Sequence, residues 1–293
     1  MAVEVDLFRD FVERVRTNFN IDHAVDDLDV VRMYAWFDLR RLPQRKWKVH
    51  YSNELQQNPF YINNGVYIDR IRHKAEAGDD LTPHASTLIE NIQAKDDMLA
   101  DWGIYHLHPG HGTKTASVSG FINRASELLF VFPKDENLYF LNVLDHKSWT
   151  SFSLIKIIDD SWPSTIDQYK MKDVIGLAYE PTEEELYELR KNQLNASFRV
   201  GNIFFMGPGG GIATSGASAR ALQMALYVKK SLTDSSKQLQ EEENDLRKKL
   251  EEKVGRLLSF DTLCLKLIKY NPKNRTGEII ETKSNTVFTF GDC

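Results

Sequence analysis

The chain has 293 residues, 42% hydrophobic and 11% aromatic, which is enough to bury a sizeable core in one large or two ordinary domains. Its net charge of −5 excludes a protein that coats nucleic acid through bulk positive charge. Its two cysteines, Cys264 and Cys293, exclude a disulfide framework and a thiolate zinc site. The N-terminus does not resemble a signal peptide, and no apolar run has the length needed to cross a bilayer. We therefore predict a cytoplasmic protein without a membrane segment.

The first hundred residues combine helical periodicity with one strand. Alternation of Trp47, Val49 and Tyr51 predicts a strand over 45–52. Helices are predicted where apolar residues recur at helical spacing or where a glycine ends the pattern. They cover residues 3–19, 26–42, a short stretch ending near Gly78, and 82–103.

The next section is rich in strands. A short strand is predicted over 103–109, and the clearest hairpin of the chain covers 126–146. Its two apolar runs, 128–132 and 138–144, are separated by the turn sequence P-K-D-E-N. A helix over 150–163 follows. Helices around an antiparallel sheet predict an α+β fold.

The C-terminal part has a different pattern. It comprises, in order, a helix over 180–193, a strand over 198–206, a glycine loop over 207–216, a long helix over 217–258 and two or three strands over 260–290. Leucines at a spacing of seven in the long helix indicate pairing with another helix, within the chain or in a homo-oligomer. We predict two domains, 1–165 with helices and an antiparallel sheet, and 166–293 with the glycine loop, the long helix and a hairpin.

The glycine loop has the parts of a phosphate-binding site, because a strand precedes it and a helix follows it. Residues 211–218 fit the pattern G-x-x-x-x-G-x-S, but Ala217 stands where a P-loop has lysine. Tight turns followed by a serine helix cap are the structural alternative.

Three of the eight histidines, His106, His108 and His111, lie within six positions. On a strand His106 and His108 share one face, because side chains alternate. Two adjacent imidazoles are suited to metal chelation and also to acid–base catalysis. A partly exposed strand end without chemistry is the third interpretation.

The segment H-L-H-P-G-H resembles the metallo-β-lactamase motif H-x-H-x-D-H, although Gly110 stands where that family has Asp. A zinc site needs three or more protein ligands. The candidate ligands for Zn or Mn are His106, His108 and His111, with His146 or Asp145. This set defines the alternative of a metal-dependent hydrolase or nuclease.

Metal-free cleavage of RNA needs a base for the 2′-hydroxyl, an acid for the leaving oxygen and a cation for the phosphate. His106 and His108 are the acid–base candidates. Arg124, just before the hairpin, and His146, at its end, are predicted to meet at the same end of the sheet as partners that bind phosphate or shuttle protons. Residues predicted to bind the substrate are Lys114, Thr115, and the basic run Arg45, Lys46 and Lys48 around Trp47.

Over about residues 66–163, helices are followed by the strand G-I-Y-H-L-H and the segment R-A-S-E-L-L-F-V-F-P-K-D-E-N-L-Y-F-L-N-V-L-D-H. This order resembles RelE/ParE-type toxins and the wider barnase–EndoU–colicin–RelE group. The resemblance implies an RNA-cleaving toxin, with Arg124 and His146 at strand positions that carry functional residues.

The leading hypothesis is a metal-independent RNA endonuclease of toxin or phage-defence type that needs no cofactor. The non-enzymatic alternative is an inhibitor or sensor that binds a protein partner through the 217–258 helix.

Overall fold

A computed structural model describes residues 2–110, 120–122, 126–213, 216–272 and 274–291. It divides into two compact units, residues 1–35 with 222–293, and residues 36–221. Helices and mixed sheets confirm the α+β class. The predicted domain boundary at residue 165 lies inside the second unit.

The helices, in chain order, are α1 (Leu7–Phe19), α2 (Asp27–Leu39), α3 (Asn53–Gln56), α4 (Pro59–Ala77), α5 (Asp97–Trp102), α6 (Phe152–Ser161), α7 (Glu183–Lys191), α8 (Ala219–Glu241) and α9 (Glu243–Val254). The strands are β1 (Ala2–Glu4), β2 (Lys48–Tyr51), β3 (Tyr105–Leu107), β4 (Glu127–Lys134), β5 (Asn137–Asp145), β6 (Phe198–Val200), β7 (Ile203–Phe205), β8 (Thr262–Asn271), β9 (Thr276–Glu281) and β10 (Thr286–Phe290). Turns of 3-10 helix occupy Thr82–His84, Thr87–Glu90, Pro163–Thr165 and Asp167–Tyr169.

The first unit contains α1, α9 and a four-stranded sheet in the order β1-β8-β9-β10. The helix predicted over 3–19 begins only at Leu7, where Asp6 caps it by accepting from the Arg9 amide, and β1 precedes it. The predicted 217–258 helix is two helices, since the backbone at Glu242 leaves the ideal helical region. Two of its spaced leucines, Leu232 and Leu246, are buried within the chain.

The second unit is built on a sheet in the order β2-β5-β4-β3. Strands β3, β4 and β5 are antiparallel, as predicted, whereas β2 joins β5 in parallel. Alternate residues of β4 enter two separate cores, with Leu128 and Phe130 on one face and Leu129 and Val131 on the other. Burial of both faces explains the unbroken apolar run of this strand. Lys134 faces Asn137 at the end of the hairpin, and Asp135 in its turn has φ 51°.

The helix predicted over 82–103 is wrong. Two 3-10 turns and the short α5 replace it, because side chains of Ser86, Asn91 and Asp96 each accept a hydrogen bond from a backbone amide two or three residues later. These local bonds compete with continuous helical hydrogen bonding. The strand predicted over 198–206 is likewise a hairpin of β6 and β7, with Gly201 at φ 61° in its turn.

The glycine loop packs against the C-terminal end of α5. The amides of Gly209 and Gly211 donate to the carbonyl oxygens of Asp101 and Ala100 at 2.7 and 2.9 Å. A Cβ atom on Gly209 would lie 2.5 Å from the Ala100 oxygen, so only glycine fits there without a shift. These amides are used inside the fold and satisfy carbonyls that a helix end leaves unpaired.

None of the helices in the described ranges is both long and apolar enough to cross a membrane.

Candidate active site

A cavity of about 400 Å³ lies in the second unit, and His106, His108 and His146 are among the residues that line it. Trp149 and Arg190 also line it. The sheet topology explains why distant residues meet here. Strands β3 and β5 are both antiparallel to β4, so they run in the same direction and their C-termini lie at the same end of the sheet. His108 follows the first of these ends and His146 follows the second.

His106 lies on β3 opposite Phe130, and its side chain is 15% exposed. Its Nδ1 atom is 3.8 Å from the Asp96 Oδ2 atom, and its ring packs edge-on against Trp149 at 4.7 Å between centroids. Burial lowers the pKa of His106, Asp96 opposes this change, and the nearby His146 adds to it. A neutral imidazole beside a carboxylate is the expected state of a general base.

Asp96 is held in place by α5, because its Oδ1 atom accepts the amide of Leu99 and thereby caps the helix. The other carboxylate oxygen, Oδ2, is the one directed toward His106. A carboxylate at Nδ1 favours the tautomer with the proton on Nδ1, which leaves Nε2 able to accept a proton. At 3.8 Å this contact is longer than a hydrogen bond, so Asp96 acts on His106 through its charge.

His108 is buried, and its backbone is fixed by His84. The His108 amide donates to the His84 carbonyl at 2.6 Å, and the His84 Nδ1–H donates back to the His108 carbonyl at 2.9 Å. Burial lowers the pKa of His84 to about 4, so that ring is neutral near neutral pH. This pair of hydrogen bonds fixes the direction of the backbone just after β3.

His146 is exposed and lies 5.9 Å from the His108 ring and 6.1 Å from the Trp149 ring, measured between centroids. Asp145 shapes the turn on which His146 sits, by accepting from the Lys147 amide and the Ser148 hydroxyl. These hydrogen bonds lower the pKa of Asp145. His146 is thus a solvent-accessible imidazole beside the buried ring of His108.

Arg190, on α7, was not predicted. It is buried, its Nε atom donates to Asp101 Oδ2 at 2.8 Å, and its Nη1 atom donates to the Trp149 carbonyl at 2.6 Å. Burial raises the pKa of Asp101, and the charge of Arg190 opposes that rise. Trp149 therefore connects Arg190 through its carbonyl to His106 and His146 through its ring.

Arg40 lines the same cavity and is also buried. Its Nη1 and Nη2 atoms donate to the carbonyl oxygens of Leu88 and Asn91 at 3.0 and 2.6 Å. Burial, with a smaller effect of Arg41, lowers the pKa of Arg40 to about 10, so it remains a cation at neutral pH.

The predicted basic run lies elsewhere. Arg45, Lys46 and Lys48 do not line the cavity, and β2 is at the sheet edge opposite β3. Three strand spacings separate these edges, about 14 Å. Arg45 stacks on Trp47 at 4.0 Å, and Lys48 pairs with Glu136 at 2.5 Å. The structure therefore places these three residues apart from the histidines.

Four other predicted residues, His111, Lys114, Thr115 and Arg124, lie outside the described residues. Within the described part of the chain, no three His, Cys, Asp or Glu side chains are grouped so that they could hold a metal ion. The alternative ligand set included His111, so that set as a whole stays a prediction.

Sequence reasoning found the histidines but missed Asp96, Trp149 and Arg190. Asp96 carries the one usable signal, since an aspartate before an apolar stretch predicts a helix cap. Nothing in the local sequence connects Arg190, on a helix some 80 residues further along, to His106.

Comparison with protein-family models, curated proteins and solved structures found no match for this chain.

Proposed function

We propose that this chain is a metal-independent endonuclease that cleaves RNA by acid–base catalysis. The observation that carries the proposal is the convergence of His106, His108 and His146 on one cavity, with the Asp96 carboxylate 3.8 Å from Nδ1 of His106. Several imidazoles with a carboxylate beside one of them are suited to moving protons near neutral pH.

In the proposed reaction His106 takes the proton of a ribose 2′-hydroxyl through Nε2. The 2′-oxygen then attacks the adjacent phosphorus, and the bond from phosphorus to the 5′-oxygen breaks. His146 in its protonated form gives its proton to that 5′-oxygen. The products are a 2′,3′-cyclic phosphate and a 5′-hydroxyl, so no oxidant, metal or water is consumed in this step.

Burial supports this division of roles. The pKa of His106 is lowered by burial, which favours the neutral form that a base needs. His146 is exposed and can exchange protons with solvent between cycles. His108 is buried with its ring next to His146, and we assign it the role of orienting His146.

The size and lining of the cavity favour single-stranded RNA. About 400 Å³ is in the range of pockets that enclose small ligands, which fits one nucleotide but not a duplex. Tyr105, Trp149 and Tyr187 add aromatic surface, and single-stranded bases are commonly recognised by stacking on such side chains.

The resemblance to RelE/ParE-type toxins over about residues 66–163 is one of element order in the sequence. A toxin or phage-defence role rests on that resemblance alone and is part of the proposal.

The test is cleavage of a labelled single-stranded RNA by the purified full chain in EDTA. We expect cleavage that yields 2′,3′-cyclic phosphate ends. His106→Ala and His146→Ala should each lower the rate about 100-fold or more, the usual contribution of a general acid or base. His73→Ala, at an exposed histidine on α4, is the matched control and should cleave like the wild type.

An inactive wild-type protein, or a His106→Ala variant as active as the wild type, would contradict the proposal. Activity that disappears in EDTA and returns with Zn or Mn would instead support the metal-dependent alternative.

A further inference from the structure

The cavity has two buried guanidinium groups on its walls, and their hydrogen bonds are incomplete. Arg190 is 3% exposed, and its Nη2 atom has no hydrogen-bond partner among the described residues. Arg40 is 7% exposed, and its Nε atom also has no hydrogen-bond partner among the described residues. A buried donor without an acceptor is costly, so each such atom calls for an acceptor that a ligand or water supplies.

The two arginines differ in what they can offer a ligand. Each terminal nitrogen of Arg40 already donates to a carbonyl, of Leu88 or of Asn91, so the nitrogen without a hydrogen bond is the inner Nε. In Arg190 the unused atom is terminal, with two hydrogens. The other nitrogens of Arg190 bond to Asp101 and to the Trp149 carbonyl, which fixes the plane of the group. Arg190 is therefore a preorganised donor.

Arg190 and the histidines also share charged and aromatic neighbours. Burial lowers the pKa of Arg190 and of Arg40, and Asp96, whose carboxylate lies 3.8 Å from His106, opposes that change in both. Trp149, whose carbonyl accepts from Arg190, packs its ring on His106 and lies beside His146. Arg190, His106 and His146 thus line the same cavity, and Trp149 lies between them.

We propose that Arg190 binds a phosphate oxygen of the ligand through its free Nη2 donor, and so supplies the cation of this site. This inference rests on the proposed function for its role in cleavage, but phosphate binding itself does not require that function. Guanidinium groups are well suited to phosphate, because they are planar and carry their charge at all physiological pH values. A donor fixed before the reaction can stabilise charge that develops on the phosphate as the 2′-oxygen attacks.

The first test compares wild type, Arg190→Lys and Arg16→Lys in calorimetric titrations with inorganic phosphate and with a 2′-deoxy oligonucleotide, which cannot be cleaved. Arg16 is a matched control, because it is a buried arginine paired with Asp27 in the other unit and does not line the cavity. We expect Arg190→Lys to bind both probes at least 10-fold more weakly, while Arg16→Lys binds them like the wild type.

A second variant tests whether weaker binding could result from misfolding. Arg190→Gln combined with Asp101→Asn replaces the buried ion pair by a neutral pair, so that no charge is left unpaired at that position. We expect its thermal unfolding to remain cooperative and its affinity for phosphate to fall at least 10-fold. In RNA cleavage the loss should appear mainly in kcat, at least 100-fold, if the contact strengthens as charge develops.

The two proposals fail in different ways. Wild-type protein that binds phosphate but does not cleave RNA, together with weak binding by Arg190→Lys, contradicts the endonuclease and supports the phosphate site. Wild-type protein that cleaves RNA while both Arg190 variants bind and cleave like it overturns the role of Arg190 alone. Wild-type protein that binds neither probe overturns the phosphate site.

Discussion

The buried His84 gives a stability prediction that can be worked out from the structure. It is fully buried, and burial lowers its pKa from 6.5 to about 4; its hydrogen bond to the His108 carbonyl opposes this change, and Lys74 adds to it. Between pH 6.5 and 4 the unfolded chain therefore binds a proton that the folded chain does not. By linkage, the free energy of unfolding falls as the pH is lowered through this window. The stabilising contribution of the neutral His84 is fully present above the window.

The magnitude follows from the two pKa values. Their difference, at about 1.4 kcal/mol for each pH unit, corresponds to about 3 kcal/mol over the whole window. Between pH 7 and pH 5 the expected loss from His84 alone is about 2 kcal/mol. His106 acts in the same direction, because burial lowers its pKa too.

The substitution to make is His84→Asn. Its side-chain amide can still donate to the His108 carbonyl, as Nδ1 does now, but it cannot take up a proton. The free energy of unfolding is measured in urea at pH 7 and pH 5 by tryptophan fluorescence. All five tryptophans lie in residues 36–221, so the signal reports on the unit that contains His84.

We expect the loss between pH 7 and pH 5 to be about 2 kcal/mol smaller in His84→Asn than in the wild type. His73→Asn, at a histidine that is 68% exposed, should keep the wild-type loss. Equal losses in wild type and His84→Asn would refute the reasoning, because the proton uptake would then belong to other groups.

Two further predictions concern the site and its support. Asp96→Asn removes the charge that opposes the lowering of the His106 pKa by burial, so the acid limb of the pH profile for RNA cleavage should move to lower pH while kcat falls. The control Asp79→Asn, at an exposed aspartate, should leave the acid limb in place. An unmoved limb in Asp96→Asn would contradict the coupling of Asp96 to His106. Gly209→Ala places a Cβ atom 2.5 Å from the Ala100 oxygen and 2.6 Å from the Gly103 nitrogen, and should lower the free energy of unfolding in urea by about 1–3 kcal/mol. Gly176→Ala, with no atom within 4 Å of its new Cβ, should be neutral, and equal stability of the two variants would count against a tight loop.

The hairpin of β4 and β5 was predictable because both strands are largely apolar and flank a polar turn. Strand period and turn chemistry act over a few residues, so sequence alone reveals them. The prediction of one helix over 82–103 was wrong for a related reason. Side chains that cap short turns, such as Ser86 and Asp96, outweighed the apolar spacing.

The candidate site was predictable only in part. His106 and His108 were identified from adjacency on one strand, and His146 from the shared ends of neighbouring strands. The basic run at Arg45–Lys48 was predicted from charge alone, which carries no information about which sheet edge a strand occupies. Arg190 depends on how α7 packs, a contact between segments far apart in sequence that no local pattern encodes.

Strand β3 has three residues and lies at the edge of its sheet, and among the described residues it pairs with β4 alone. Short edge elements open locally at a smaller free-energy cost than central strands. His106 therefore lies on a short edge strand and His108 directly follows it, while His146 follows one of the central strands. A ligand that bridges the two sides would hold β3 against the sheet, and part of its binding energy would be used to order the strand that binds it. Affinity and local order at this edge are thus thermodynamically coupled.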